Sequence, residues 1–220
     1  MHRPAVSALI VNYNTSSLTR QCVASLRTER VAGGGGAEGV EIIVVDNASE
    51  ARDREMLSGL GVTVLFNEEN RGYGAAINQA RARARADLLL FSNPDTYYFP
   101  GSVARLVDGL GDRARAGAVG PRIWWDRERR FLLPPSDAVT LAGYVWREVA
   151  AVRPASFRIW ERRWLRRAIG YWRSTAAVEQ PMLSGACLLT SETALGEIGG
   201  FDERFHLYYE DADWCRRARA

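Results

Sequence analysis

Short runs of apolar residues alternate with helical patterns through the first 120 residues of the chain. The runs predict buried strands at residues 6–11, 40–45, 62–66 and 87–91. The segments between them carry apolar side chains at helical spacing, as at Leu18, Cys22 and Leu26. Strands that are almost wholly apolar and alternate with helices are typical of a mostly parallel sheet covered by helices on both faces. The pattern therefore predicts an α/β fold.

The pattern changes over residues 123–177 and becomes regular again from residue 178. Residues 153–173 are rich in Arg and aromatic residues, and Phe157, Trp160, Trp164 and Ala168 share one helical face. Two interpretations stay open: a helix whose aromatic face packs on the domain, or a basic amphipathic helix that lies on an anionic membrane. Further elements are predicted as an Ala-rich helix up to residue 86, a strand at 182–189 and a final helix that opens at 208–213.

The amino-acid composition excludes several classes of catalytic and phosphate-binding site. The length of 220 residues suits one globular domain, and all 29 basic residues are Arg. Without Lys there is no Walker A loop, no Schiff-base lysine and no kinase-type phosphate lysine. Residues 151–175 carry seven Arg and one Glu, a charge of +6, whereas the rest carries 22 basic and 25 acidic residues, a charge of −3. The basic character therefore belongs to one segment.

The cysteines and the hydropathy bear on location. Cys22, Cys187 and Cys215 are odd in number and widely spaced, which predicts neither a disulfide framework nor a zinc site. No apolar run approaches the roughly 18 residues that span a membrane. We expect a cytoplasmic protein, with peripheral contact at the inner face of the plasma membrane if residues 153–173 bind lipid. Nucleic acid is not an expected partner because the positive charge is local and no recognition motif is present.

The residues directly after the predicted strands are polar, namely Asn12 and Asn14, Asp46 and Asn47, Asn67 and Asn70, and Asn93 and Asp95. Open α/β sheets bind ligands at the carboxyl ends of their strands. Asn also favours turns, which accounts for part of the pattern. It accounts less well for carboxylates at the ends of two separate strands, so we expect a ligand site there.

Three groups of residues could carry chemistry. Short polar side chains at Asn12–Asn14 and Asp46 can read the edge of a base, and glycines at 72 and 74 let backbone approach an anionic group beside a helix N-terminus. Asp95, in Asn93–Asp95, can ligate a hard divalent cation that keeps water and diphosphate oxygens as its other ligands; an Asx turn explains the same residues. Glu210 and Asp211 begin a helix, so one carboxylate can face a cleft, although helix capping is an alternative explanation.

As a set, in order and spacing, the motifs resemble those of family 2 glycosyltransferases. These are inverting enzymes of the Rossmann-like GT-A fold, and the rhamnosyltransferase-type branch is the most similar. The resemblance covers residues 5–122 and 178–219. The matching segments are Val11–Asn14, Val44–Ser49, Asn70–Asn78, Asn93–Asp95, Val119–Pro121, Ser184–Ala186, Gly199–Glu203 and Tyr209–Asp213 with Arg217.

The resemblance implies roles for individual residues. Asp95 would ligate a divalent metal, Mg²⁺ or Mn²⁺, that bridges the donor diphosphate. Asp211 would be the general base, and Glu210 would orient the acceptor or Asp211. Gly185 and Ala186 would lie on the acceptor side, and Asp213 with Arg217 would form a structural ion pair. The residues expected to bind the nucleotide-sugar donor are Asn12, Tyr13, Asn14, Asp46, Asn47, Asn70, Gly72, Tyr73, Gly74, Asn78 and Asn93.

Two departures from the family pattern qualify these expectations. The first position of the usual Asp-x-Asp metal motif is Asn93, which removes one charge from the metal site. Family members also continue well past the Glu-Asp motif. We therefore expect a single GT-A catalytic domain, C-terminally truncated, with a nucleotide-sugar-binding half at 1–122, a variable insert at 123–177 and an acceptor and catalytic-base half at 178–220.

The expected function is transfer of a sugar, with inversion, from a nucleotide-diphosphate donor such as dTDP-rhamnose to a hydroxyl of a glycan or lipid-linked acceptor. One alternative is a catalytically degenerate domain that still binds nucleotide sugars. Another is a sugar nucleotidyltransferase, which would need a Gly-rich loop with Arg and Lys near the N-terminus. Neither feature is present there.

Overall fold

A computed structural model describes residues 3–33, 36, 38–113, 116–136, 143, 145, 146, 148 and 154–220. The chain forms two compact units. The first contains the residues up to Pro121 and those from Ser184 onward, and the second extends from Arg122 to Leu183.

The first unit is an α/β structure built around a six-stranded sheet of order β3-β2-β1-β4-β6-β5. The four strands β3, β2, β1 and β4 are parallel, whereas β6 is antiparallel to both of its neighbours. The mostly parallel sheet that the apolar runs predict is thus confirmed. Its strands are β1 Val6–Asn12, β2 Val40–Asp46, β3 Thr63–Phe66, β4 Leu88–Ser92, β5 Ala118–Val119 and β6 Cys187–Ser191. Its helices are α1 Ser16–Leu26, α2 Ala51–Ser58, α3 Tyr73–Arg81, α4 Ser102–Gly111, α6 Glu192–Ile198 and α7 Glu210–Arg217.

The central strand β1 is buried along its whole length, which explains its nearly continuous apolar sequence. Its register with β2 pairs Val6 with Val40 at one end and Asn12 with Asp46 at the other. The register therefore brings two of the polar residues at strand ends side by side at the carboxyl edge of the sheet.

Two elements end earlier or begin later than the sequence predicts. Helix α3 stops at Arg81 rather than residue 86, and the backbone N–H of Ala86 donates instead to Ser7 Oγ at 3.1 Å. Strand β6 begins at Cys187 rather than residue 182. The preceding Gly185 N–H donates to Asp211 Oδ2 at 2.9 Å and not to a neighbouring strand. In both places a backbone N–H donates to a side-chain oxygen far away in sequence, Ser7 Oγ or Asp211 Oδ2, instead of to a helix or strand carbonyl.

Glu29 caps helix α4 from a distance of more than 70 residues in sequence. Its side chain is buried, and its two carboxylate oxygens accept the N–H groups of Gly101 at 3.0 Å and Val103 at 2.8 Å. The first N–H groups of a helix have no partners within the helix, so a carboxylate that accepts two of them is stabilising.

We expect Glu29→Gln to lower the free energy of unfolding by about 1–3 kcal/mol, because the amide NH₂ replaces one acceptor and faces a backbone N–H. Urea unfolding measures the change. Glu55→Gln, on the exposed side of α2, is the matched control and should change the free energy by less than about 0.5 kcal/mol. Equal effects of the two substitutions would contradict the capping role.

The second unit contains helix α5, Pro154–Arg173, so a helix across most of residues 153–173 is confirmed. Ala168 is buried and Trp164 half-buried, as the inward-facing interpretation expects. The side chains of Phe157 and Trp160, and all of Arg153, lie outside the described residues. Arg167 anchors the helix by donating to the backbone oxygen of Ser136 at 2.8 Å and to Gln180 Oε1 at 2.9 Å.

Of the helices in the described ranges, none has the length and apolar character needed to cross a bilayer.

Candidate active site

Asn12 lies at the end of β1, fully buried, and its side-chain amide is used entirely by protein groups. Its Nδ2 donates to Asp46 Oδ1 at 3.0 Å and to Ser49 Oγ at 2.9 Å. Its Oδ1 accepts from Thr15 Oγ1 at 3.1 Å and from Thr19 Oγ1 at 2.6 Å. An amide can make two donor and two acceptor bonds, so Asn12 has no bond left for a ligand and acts by holding Asp46 and Ser49 in place.

Asp46, at the end of β2, is the buried carboxylate that Asn12 orients. Its Oδ2 accepts the backbone N–H of Ser49 at 3.2 Å, and Arg54 Nε lies 4.0 Å away. The Arg54 guanidinium also lies over the Phe66 ring, 5.1 Å from its centroid. Sequence reasoning missed Arg54, because nothing in its helical context distinguishes it from the other Arg residues.

Tyr13 and Asn14 follow β1 on the exposed side of this network. Asn14 has a φ of 53°, a left-handed conformation that Asn tolerates. Its backbone N–H donates to Ser49 Oγ at 2.8 Å and its Oδ1 accepts the Glu50 N–H at 2.8 Å. Tyr13 is half exposed. Its ring is therefore open to solvent just beyond the end of β1.

A second network of side-chain amides connects the ends of β2 and β3 to the start of α3. Asn47 Nδ2 donates to Asn70 Oδ1 at 2.7 Å, and Asn47 Oδ1 accepts from Asn67 Nδ2 at 3.2 Å and from the Arg71 N–H at 3.1 Å. Asn70 Oδ1 also accepts the Gly72 N–H at 3.0 Å. These bonds fix the loop before α3, so Asn47 and Asn70 shape the site through the backbone.

Gly72 sits where the loop before α3 meets the loop before α7. Its φ is 84°, and a Cβ at this position would lie 2.6 Å from the backbone oxygen of His206. The neighbouring Tyr73 N–H donates to that same oxygen at 3.0 Å. The next glycine, Gly74, is packed against Phe201 and Glu210. Glycine at position 72 is thus required both by conformation and by the close approach of two backbones.

The backbone of Gly185 joins helix α3 to helix α7. Tyr73 Oη donates to the Gly185 oxygen at 3.0 Å, and the Gly185 N–H donates to Asp211 Oδ2 at 2.9 Å. Asp211 Oδ1 accepts the N–H of Ala212 at 2.7 Å. Burial raises the pKa of Tyr73, and the nearby charges of Glu210 and Asp211 raise it further, so its hydroxyl stays a donor. Asp211 is half-buried and fixed in orientation, with lone pairs left on both oxygens.

The segment after β4 bonds to the same backbone turn. The Asn93 N–H and Thr96 Oγ1 both donate to the Ala186 oxygen at 3.0 Å. Asn93 is half-buried, whereas Asp95 is exposed. The charge of Asp95 also contributes to the raised pKa of Tyr73. The turn at 184–186 therefore joins the predicted metal-binding segment to the predicted base.

The described contacts of Asn78 and of the ion pair of α7 are all with protein groups. The Asn78 Nδ2 group donates to the Phe201 oxygen at 2.9 Å and to Glu203 Oε1 at 3.0 Å, and its Oδ1 accepts the Phe201 N–H at 3.1 Å. Asp213 Oδ2 accepts from Arg217 Nε at 2.7 Å, which confirms the predicted pair. Arg217 also donates to the backbone oxygens of Ile198 and Gly200. All of these contacts hold the turn that precedes α7.

Glu210 is a buried carboxylate beside Asp211. Its Oε2 is buried and has no hydrogen-bond partner in the described part of the chain. Burial raises the pKa of Glu210 and the charge of Asp211 adds to the increase, although a bond from its own backbone N–H opposes both. The carboxylate thus favours its neutral form more than an exposed Glu does.

We expect Glu210→Gln to raise the free energy of unfolding near pH 8, because the folded state no longer holds a destabilised charge. With a folded pKa above the unfolded value, the native Glu210 favours folding when protonated and loses that contribution as the pH rises through the folded pKa. The gain of the variant should therefore shrink as the pH is lowered from about 8 towards about 5. Urea unfolding across this range measures it, with Glu55→Gln as the control; a difference independent of pH would contradict the burial effect.

Comparison with known proteins agrees with this architecture. A sequence model of the family described as glycosyl transferase family 2 matches residues 7–182. The N-acetylglucosaminyl-diphospho-decaprenol L-rhamnosyltransferase of Mycobacterium tuberculosis is 31% identical over 204 residues, which cover 86% of this chain and 61% of that protein. A low-salt glycan biosynthesis hexosyltransferase of Haloferax volcanii is 24% identical over 218 residues, or 97% of this chain and 61% of that protein. The chain thus spans about three fifths of the length of these relatives.

Solved structures show the same fold. The mannosyltransferase PcManGT from Pyrobaculum calidifontis, in complex with GDP-Man and Mn²⁺, has a TM-score of 0.64 at 18% identity and covers 99% of this chain with 52% of its own. Residues 1–349 of S. aureus TarS in complex with UDP give a TM-score of 0.60 at 19% identity, covering 99% of this chain and 55% of that one. The fold is therefore GT-A, and the chain belongs to glycosyl transferase family 2.

Proposed function

We propose that the chain is a catalytic domain that transfers a hexosyl group from a nucleotide-diphosphate donor to an acceptor hydroxyl, with inversion. The observation that carries the proposal is the turn at 184–186. It bonds on one side to the Asn93–Thr96 segment that contains Asp95, and on the other to Asp211 and Tyr73. A carboxylate suited to a diphosphate-bound metal and a carboxylate suited to a base thus belong to one connected cluster at the carboxyl edge of the sheet.

The donor nucleotide is proposed to bind at the Asp46 end of this edge. Asp46 is fully buried, where Asn12 and Ser49 hold it, and it keeps lone pairs that we propose a base N–H reaches after a side-chain movement at the edge of the sheet. Tyr13 offers an exposed ring against which a base can stack. Asn47, Asn70 and Asn78 are bonded to protein groups, so we assign them to the shape of the pocket.

The residues near Asp95 fit a divalent ion that arrives with the donor. In the part of the chain that the structure describes, no three His, Cys, Asp or Glu side chains are grouped to hold a metal. Mg²⁺ is commonly bound through one or two carboxylates, with water and phosphate oxygens completing its coordination. Asp95, exposed and acidic, would supply the carboxylate, and the Asn93 amide a neutral oxygen. When bound, Mg²⁺ or Mn²⁺ would neutralise charge on the departing diphosphate.

Asp211 is proposed to take the proton from the acceptor hydroxyl. The hydroxyl oxygen attacks the anomeric carbon from the face opposite the nucleotide, the bond to the diphosphate oxygen breaks, and the configuration inverts. The N–H groups of Gly185 and Ala212 hold the carboxylate in one orientation, which a general base requires for reach to its proton. Gly185 and Ala186 would border the acceptor hydroxyl.

The relatives suggest the substrates. The Mycobacterium tuberculosis relative is named for L-rhamnosyl transfer to a diphospho-decaprenol-linked N-acetylglucosamine. We propose a deoxyhexose as the transferred sugar, carried on a nucleoside diphosphate such as dTDP, and a lipid-diphosphate-linked sugar as acceptor. The three buried cysteines are in the thiol form rather than in disulfides, which fits the cytoplasm as the proposed location.

The products of the reaction test the proposal against its alternatives. We expect the chain, given the proposed donor and acceptor, to release nucleoside diphosphate in step with a glycosylated acceptor, as measured by mass spectrometry. Nucleotide binding without transfer to any acceptor would favour a degenerate donor-binding domain. Release of pyrophosphate from a nucleoside triphosphate and a sugar phosphate would instead identify a nucleotidyltransferase.

A further inference from the structure

The outward face of helix α5 combines exposed arginines with exposed apolar side chains. The exposed basic residues are Arg158, Arg162, Arg163, Arg166 and Arg173, and the exposed apolar ones are Ile159, Leu165, Ile169 and Trp172. The single acidic residue of the helix is Glu161. Five positive charges against one negative give this face, which we call the α5 face, a net charge of +4.

Helical geometry places the two kinds of residue next to one another. At 100° per residue, Trp172, Leu165 and Ile169 lie within an arc of about 60°. Arg162, Arg166 and Arg173 follow directly along the helix surface. The opposite side carries Trp164, Arg167, Ala168 and Tyr171, which are buried or half-buried. Of the face that the sequence singled out, the described side chains Trp164 and Ala168 thus point inward, and a different face of the helix is left exposed.

Within the described ranges, the arginines of the α5 face form no salt bridge, and all five residues are exposed. Guanidinium groups bind phosphate oxygens in pairs of hydrogen bonds, and their stems cover apolar surface. Aliphatic and Trp side chains between them suit the boundary between headgroups and acyl chains, which a nucleic acid does not offer. The positive charge together with the apolar stripe is therefore complementary to the surface of an anionic bilayer.

We propose that the α5 face docks on an anionic phospholipid bilayer. The biological role of this docking depends on the proposed function, because a lipid-linked acceptor presents its sugar at a bilayer surface. Its physical basis does not depend on that function: five arginines supply the electrostatic attraction, and Leu165, Ile169 and Trp172 supply the apolar contact.

Vesicle sedimentation with the 220-residue chain tests the proposal. We expect binding to phosphatidylcholine vesicles that contain about 30% phosphatidylglycerol, a level chosen to mimic an anionic leaflet. Binding to pure phosphatidylcholine should be at least about tenfold weaker. Raising the salt from about 0.1 M to about 0.5 M should weaken the anionic binding, because screening shortens the reach of the arginines.

Two variants of the α5 face and one control variant of the first unit test whether the binding belongs to this face. Arg158→Glu/Arg162→Glu/Arg166→Glu should reduce the vesicle affinity by about 100-fold or more, since each basic residue near an anionic surface contributes about fivefold. Arg20→Glu/Arg52→Glu/Arg83→Glu changes the net charge equally on exposed positions of the first unit and should cost much less. Leu165→Ser/Ile169→Ser, which keeps the charge, should weaken binding at both salt concentrations.

The proposal is overturned by absence of binding to the anionic vesicles, or by equal losses in the two triple variants. Tighter binding to a short DNA duplex than to the vesicles at the same salt would also overturn it. Nucleotide binding, measured by calorimetry on the same preparations, keeps the two claims separate. A chain that binds nucleotide but no vesicle contradicts only the bilayer proposal, and one that binds vesicles but no nucleotide contradicts only the proposed function.

Discussion

Asp211→Asn is expected to lower the rate of sugar transfer by about 10²–10⁴-fold, the usual contribution of a positioned general base. The amide oxygen can still accept the Gly185 N–H, which now donates to Asp211 Oδ2 at 2.9 Å. The amide NH₂ would face the Ala212 N–H, which now donates to Asp211 Oδ1 at 2.7 Å, so the side chain keeps one of its two orienting bonds and cannot take a proton. Nucleotide affinity should change by less than about twofold, since Asp211 is proposed to contact the acceptor and not the nucleotide. Single-turnover transfer and calorimetry on the same sample measure both.

The matched control for this change lies on the same helix. Asp213→Asn removes the ion pair with Arg217 and should lower the free energy of unfolding by about 0.5–1 kcal/mol while transfer stays within a few-fold of normal. Transfer by Asp211→Asn at more than about a third of the normal rate would show that Asp211 is not the base.

Gly72→Ala has the second large expected effect, a loss of about 2–5 kcal/mol in the free energy of unfolding. The new Cβ would lie 2.6 Å from the His206 oxygen and 3.0 Å from its Cα, and the backbone φ of 84° is unfavourable for Ala. Because both obstacles are backbone, the loops before α3 and α7 must separate. The bond from the Tyr73 N–H to His206 would be lost with them, so nucleotide affinity should fall as well. Chemical unfolding and calorimetry measure the two consequences.

A glycine in an open position provides the control. Gly196 lies inside α6 with no atom within 4 Å of an added Cβ. Gly196→Ala should therefore raise the free energy of unfolding by about 0.5–1 kcal/mol, through the better helix propensity of Ala. If Gly72→Ala changed the stability by no more than this, the close packing of the two loops would be refuted.

The sequence predicted the parallel strands β1, β2 and β4 well because they are largely buried, so that their apolar runs depend little on which strands they pair with. β1 and β2 were placed to within a residue. The direction of β6 was not predicted, since its apolar pattern fits either orientation. The cap of α4 by Glu29 also escaped notice, because nothing local connects it with Gly101.

In the candidate site, too, some features could be predicted from the sequence and others could not. Motifs identified Asp46, Asp95 and Asp211 as a set, and their roles remain predictions. What the sequence could not reveal is the partner of each polar side chain. Asn12 and Asn78 were expected to bind the donor, yet their amides are bonded to protein groups, so we now propose positioning roles. Ser49 and Arg54 lie beside Asp46. Neither comes directly after a strand, so the pattern of polar residues at strand ends does not single them out.

The central claim is that a nucleoside diphosphate binds at the carboxyl edge of the sheet, between Asp46 and Asp95. Isothermal titration of dTDP, UDP and GDP, each with and without Mn²⁺, tests it most directly. We expect one nucleotide to bind in preference to the others, more tightly with Mn²⁺. We also expect Asp95→Asn to remove the Mn²⁺ dependence, while Asp108→Asn on the exposed side of α4 leaves it intact. Failure of all three nucleotides to bind, with Mn²⁺ present, would contradict the claim.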